Sequence, residues 1–129
     1  MLKLGIKNTL ELLVGEKNTA KAIGSGNLEV FATPAMIALI EETAWKSVAA
    51  FLNEGESTVG TKIDINHISA TPLGLKVICN TKLIEIDRRR LVFHVEVFDE
   101  VCKIGEGTHE RFIIDSEKFI SKTNEKKNS

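Results

Sequence analysis

The sequence predicts an α+β fold: a curved five-stranded antiparallel sheet wrapped around one long central helix. Three observations carry this reading. Residues 33–52 form one helical run that is apolar on most sides, the mark of a buried element. From Thr58 onward the apolar period changes to two and holds through four successive segments. Short turns join those segments, which favours antiparallel pairing, and one helix covers such a sheet only if the sheet curls around it. The 129 residues suffice for one domain with its own core over 1–129, with about 121–129 as a flexible polar tail.

Taken in order, Leu2 to Val14 alternates well enough for a first strand, with a kink near Asn8. Gly15 to Gly26 is small and polar and suits a short strand or turn around Thr19 to Ile23, then a loop. Thr33 is a good N-cap and Pro34 suits the first helical position, where its missing N–H costs nothing. Asn53-Glu54-Gly55 ends the helix. The second strand puts Thr61, Ile63, Ile65, His67 and Ser69 on one face, toward the core. Pro72 and Gly74 make a turn, and Leu75 to Leu83 forms a long strand. Asp87 to Arg90 is a charged hairpin tip, Leu91 to Phe98 the next strand, and Val101 to Asp115 the last. Gly105 and Gly107 inside that last strand suggest a bulge or a close approach by another backbone or ligand. Ser116 to Ile120 adds a short helical turn.

Composition narrows the function classes. Hydrophobic content is 43% and charged content 27%, both ordinary for a globular protein. A net charge of −1 gives no electrostatic case for nucleic acid or an anionic membrane as partner. Cys79 and Cys102 lack a CxxC spacing, so neither zinc nor a disulfide framework is signalled; both read as reduced, half-buried strand residues. No membrane span or signal-peptide layout is evident, and the expected location is cytoplasmic.

Two residues break the apolar pattern. Glu41 lies on the helix stripe of Ile37, Ala44, Trp45, Val48 and Leu52 and has no basic residue at i±3 or i±4, unlike Glu42, which has Lys46. A carboxylate there finds a partner elsewhere, takes up a proton, or lines a cavity; a solvated Glu on a mis-phased face is the bland alternative. His67 is in phase with the inward face of its strand, where a satisfied core histidine is the commoner case. The curled architecture would bring the two toward one interior. An edge strand and an uncovered outer face point to pairing with a second chain, a homodimer or a dimer of dimers.

The segments Phe31 to Glu41, Val59-Gly60-Thr61 through His67, Ala70 to Gly74, and Gly105 to Arg111 resemble the fluoroacetyl-CoA thioesterase-like branch of the hot-dog thioesterases. The resemblance runs from about Phe31 to Phe119. It implies a hot-dog fold, hydrolysis of a short-chain acyl-CoA, and a catalytic trio of Thr33, Glu41 and His67. It also implies an oxyanion donor at the Gly60 N–H, with Phe31 and Arg111 beside the substrate. Arg88, Arg89 and Arg111 are the candidates for the CoA phosphates. No metal or cofactor is needed beyond the coenzyme A thioester itself. Gly15 to Asn27 shows no counterpart of the aromatic lid of the fluoroacetyl-specific member, so that selectivity is not carried over. The competing readings are a non-catalytic acyl-CoA-binding module, an interaction subunit with a buried Glu–His pair, and a hot-dog dehydratase.

Overall fold

The computed structural model describes all 129 residues. Five strands, β1 (Lys7–Leu13), β2 (Glu56–His67), β3 (Lys76–Asp87), β4 (Arg90–Asp99) and β5 (Lys103–Asp115), form one antiparallel sheet in the order β1-β3-β4-β5-β2. The sheet holds the central helix α2 (Thr33–Ala49) in its concave face. Helix α1 (Ala20–Ile23) precedes α2, and α3 (Ser116–Asn124) follows the sheet.

Helix α2 is buried through Met36, Leu39, Ile40, Thr43, Ala44 and Val48. These meet Val77, Cys79, Leu83, Phe93, Val95 and Val97, the inward residues of β3 and β4, in one core. Burying such side chains contributes roughly 1.5–3 kcal/mol each, which is why the apolar stripe dictates how the sheet curls. Cys79 lies wholly inside this core, and burial pushes its thiol up to about 11 against a small opposing pull from Thr43. Cys102 is exposed in the turn before β5, so the two thiols are not the matched half-buried pair expected.

Several boundaries differ from the sequence reading. Thr33 is the first helical residue and Ala32 occupies the N-cap, with no side-chain capping bond. β1 starts only at Lys7 and pairs without a break through Leu13, because Asn8 is tied to the helix (Nδ2 to the Thr43 carbonyl, 3.1 Å) rather than kinked. The Gly15–Gly26 stretch holds a 3-10 turn and α1, capped by the Thr19 hydroxyl. α3 runs to Asn124, past the polar tail expected from Ser121, because the Asp115 carboxylate caps it at the Lys118 N–H.

β2 does not pair with β3, its successor in sequence. It crosses the sheet to pair with β5, and Ile68 to Leu75 makes the crossover. Asp99 anchors that crossover: its carboxylate accepts from the Thr71 hydroxyl at 2.8 Å and from the Val101 and Cys102 N–H groups. Gly107, at φ +149°, lets β5 lie directly against the Asp64 carbonyl of β2, the close approach that a strand glycine signals.

Candidate active site

The helix and β2 run side by side, and the predicted site residues fall into two groups along them. At the helix entrance the Thr33 hydroxyl is 2.7 Å from His67 Nδ1. Thr33 is free to make this bond because it is not capping the helix. His67 ends β2, opposite Gly105, on the inward face that its phase required. Its Nε2 is buried and lacks a hydrogen-bond partner, an unmet demand beside a cleft of about 280 Å³. Phe31, Val30, Ala20 and Ser25 line the same cleft, with Phe31 fully buried as its floor. Burial holds the His67 pKa below its ordinary value of 6.5, and the nearby Ser69 backbone offsets this only in part.

Two turns along the helix lies the second group. Glu41 is half-buried at the rim of the apolar stripe, and its Oε2 accepts from Arg111 Nη1 at 3.2 Å. Gly60 stands directly over that carboxylate: a Cβ there would run into Glu41 Oε2 and come within 3.3 Å of Arg111 Nη1. The placement depends on a bulge. Gly60 and His67 are seven residues apart, so an unbroken strand would send them to opposite faces. The register slips between Gly60 and Lys62, leaving Thr61 as the extra residue, and both then face inward.

Glu41 and His67 therefore do not meet within one chain. Eight residues of helix separate Thr33 from Glu41, about 12 Å of rise. Glu41 is bonded to Arg111 and His67 to Thr33, with no contact joining the pairs. The common interior expected from the two phases is divided because α2 and β2 each carry their polar residues to both ends of the groove.

Arg111 is not a surface phosphate contact. It is buried, and four of its five N–H groups are engaged: Nε with the Thr58 hydroxyl (2.8 Å), Nη2 with the Thr58 carbonyl (3.0 Å), and Nη1 with Glu41 and His109. Burial lowers its pKa, and Glu41 pushes the other way. Arg88 and Arg89 sit at the β3–β4 hairpin beside Leu52 and Asn53, at the far end of the helix from His67. His109 is the site residue that the sequence reading missed. Its signal was available: Gly105, Gly107, His109, Arg111 and Ile113 share one face of β5, so His109 is as anomalous on its strand as His67 is on β2.

The arrangement offers a carboxylate with one oxygen tethered, a glycine backbone brought against it by a missing side chain, and a hydroxyl–imidazole pair. These are the parts that acyl transfer uses.

The comparisons with known proteins agree with this chemistry. The family model described as fluoroacetyl-CoA-specific thioesterase matches residues 14–117. The fluoroacetyl-CoA thioesterase of Streptantibioticus cattleyicolor is 43% identical over 98 residues, 76% of this chain and 70% of that protein. A crystal structure of the fluoroacetyl-CoA thioesterase FlK superposes with a TM-score of 0.92 at 35% identity, covering 98% of each chain. A variant of FlK solved with acetyl-CoA gives 0.92 at 34%, covering 97% of this chain and 98% of its own. A thioesterase-superfamily protein of Thermus thermophilus, at 24% identity and a TM-score of 0.90 over 98% of this chain and 93% of its own, shares the fold. With the helix, the five-stranded sheet and the extent of these matches together, the chain belongs to the fluoroacetyl-CoA-specific thioesterase family, acyl-CoA thioester hydrolases of the hot-dog fold.

Proposed function

We propose that the protein hydrolyses a short-chain acyl-CoA to the free acid and coenzyme A, using Glu41, Gly60, Thr33 and His67. The observation that carries this is the Glu41 carboxylate, held through one oxygen by Arg111 beneath the open backbone of Gly60. The free oxygen takes a proton from the water that attacks the thioester carbon, or attacks that carbon itself to form an acyl anhydride that water then hydrolyses. Either way the C–S bond breaks and coenzyme A leaves as the thiol, its proton coming from that water. The Gly60 N–H receives the negative charge developing on the carbonyl oxygen. His67, neutral at rest and oriented by the Thr33 hydroxyl, accepts the proton that the water gives up and relays it to the leaving thiolate.

For Glu41 and the Thr33–His67 pair to act on one thioester, they must come from two chains. β2 is an edge strand, and the helix face beside it leaves Trp45 43% exposed, with Ile63 37% exposed on the strand. An unpaired edge flanked by apolar side chains fits a second copy of the chain, with a two-fold axis joining Glu41 of each protomer to His67 of its partner. The two free thiols suit a reducing cytoplasm as the place of work. Over the Thr33–His67 cleft, Gly15 to Val30 contains no aromatic residue, so the acyl preference extends beyond fluoroacetyl to other short chains.

The test is steady-state hydrolysis of a panel of short acyl-CoAs by wild type, Glu41→Gln and His67→Ala. Turnover by wild type with loss of at least about a hundredfold in both variants is expected, the usual scale for a general acid–base group. Full activity in both variants rejects the assignment.

A further inference from the structure

We propose that His109 is a positioning residue that fixes the Glu41 carboxylate through Arg111. The proposal rests on the reading of Glu41 as catalytic. His109 is fully buried on β5, and both ring nitrogens are committed. Nδ1 is 2.8 Å from the Lys62 carbonyl. A carbonyl only accepts, so Nδ1 carries the proton and Nε2 is left with a lone pair. That lone pair takes one N–H of Arg111 Nη1 at 3.1 Å. The other N–H of the same nitrogen goes to Glu41 Oε2 at 3.2 Å.

The bonds form one directed chain, from the β2 backbone through the imidazole and the guanidinium to the carboxylate. It starts at Lys62, the residue after the bulge that brings Gly60 over Glu41. The strand that supplies the oxyanion donor and the side chain that supplies the carboxylate are thus braced against each other. Phe93 stacks on the imidazole, centroids 6.2 Å apart, and fixes its plane. Thr58 holds Nε and Nη2 of the planar guanidinium, and the His109 bond braces the remaining nitrogen, Nη1, beside Glu41. Only a neutral ring with its proton on Nδ1 serves: a proton on Nε2 would face another N–H. Burial and the charge of Arg111 disfavour that protonation, while Lys62, Glu41 and Glu110 pull the other way.

His109→Phe keeps the ring and removes both bonds. It is expected to lower kcat about tenfold, the worth of one hydrogen bond to a charged group, while KM stays near the wild-type value. His109→Gln restores an acceptor and is expected to recover most of the loss. In a Glu41→Gln background His109→Phe is expected to change the residual rate no further. Wild-type kcat in folded His109→Phe, no recovery in folded His109→Gln, or the same tenfold loss in the Glu41→Gln background overturns the proposal. Full activity in Glu41→Gln alone overturns instead the reading beneath it. Nitrogen-15 NMR of the wild type supplies a readout that needs no variant to fold: His109 is expected to be neutral with its proton on Nδ1 at neutral pH and above. An imidazolium, or a ring protonated on Nε2, overturns the proposal.

Discussion

At the scale of single residues, the site depends on what Gly60 lacks. A methyl group there meets the far end of a flexible side chain, Glu41 Oε2, rather than backbone. Gly60→Ala is therefore expected to push the carboxylate off Arg111 and lower kcat at least tenfold, roughly one charged hydrogen bond, while the melting temperature moves by only a few degrees. Thr33 makes the complementary case. Since it caps nothing, Thr33→Ala is expected to leave thermal stability nearly unchanged and to reduce turnover, with Thr33→Ser retaining most of it. Kinetics alongside thermal unfolding separates the two effects in both variants. The pH profile follows from the histidines. In the proposed mechanism His67 starts as a neutral acceptor, and burial sets its pKa below 6.5, so kcat/KM is expected to hold through neutrality and fall only as pH drops through that lowered value. The same shift affects stability: the folded state binds fewer protons at His67 and His109 than the unfolded chain, so their contribution is full above 6.5 and declines as pH falls below it. Glu41 and His67 were legible in the sequence because each puts a polar group on an otherwise apolar phase. The chain of bonds from His109 through Arg111 to Glu41 was not, because it forms only through the pairing of β5 with β2, about fifty residues apart in the chain.

At the scale of elements, the informative feature is the crossover from β2 to β3. Consecutive strands with short links suggested a simple meander, but local pattern cannot distinguish a hairpin from a crossover that happens to be eight residues long. Asp99 fastens that crossover, since its carboxylate joins it at Thr71 to the β4–β5 turn. Burial alone would raise its pKa; the Cys102 and Val101 N–H groups and the Thr71 hydroxyl reverse that and bring it below its ordinary value of 3.8. Asp99→Ala strands those donors and is expected to cost about 1–3 kcal/mol in urea unfolding. A smaller loss of acid resistance is expected for Asp99→Asn, because the stabilisation carried by the carboxylate is present above 3.8 and disappears as pH falls through the lowered value. The bulge at Thr61 was equally hidden. Strict alternation would have put Gly60 and His67 on opposite faces, and only the slipped register reconciles them.

At the scale of the whole molecule, the curled sheet leaves one groove with polar chemistry at both ends and an open edge between them. The fold class was legible because a single buried helix and a run of period-two segments admit few arrangements. The division of the site was not, since phase reports which face a residue takes and says nothing about how far along the groove it lies. In the proposed dimer a two-fold partner would repair that division, and Ile63→Lys at the edge is then expected to yield a folded monomer by sedimentation with little hydrolytic activity. The most direct test mixes two inactive chains. Glu41→Gln and His67→Ala, co-expressed with different tags and purified as the hybrid dimer, leave one intact site if Glu41 of each chain works with His67 of the other. About half of the wild-type rate per dimer is then expected. A hybrid as inactive as either parent, formed from a protein that is otherwise dimeric and active, would contradict the account.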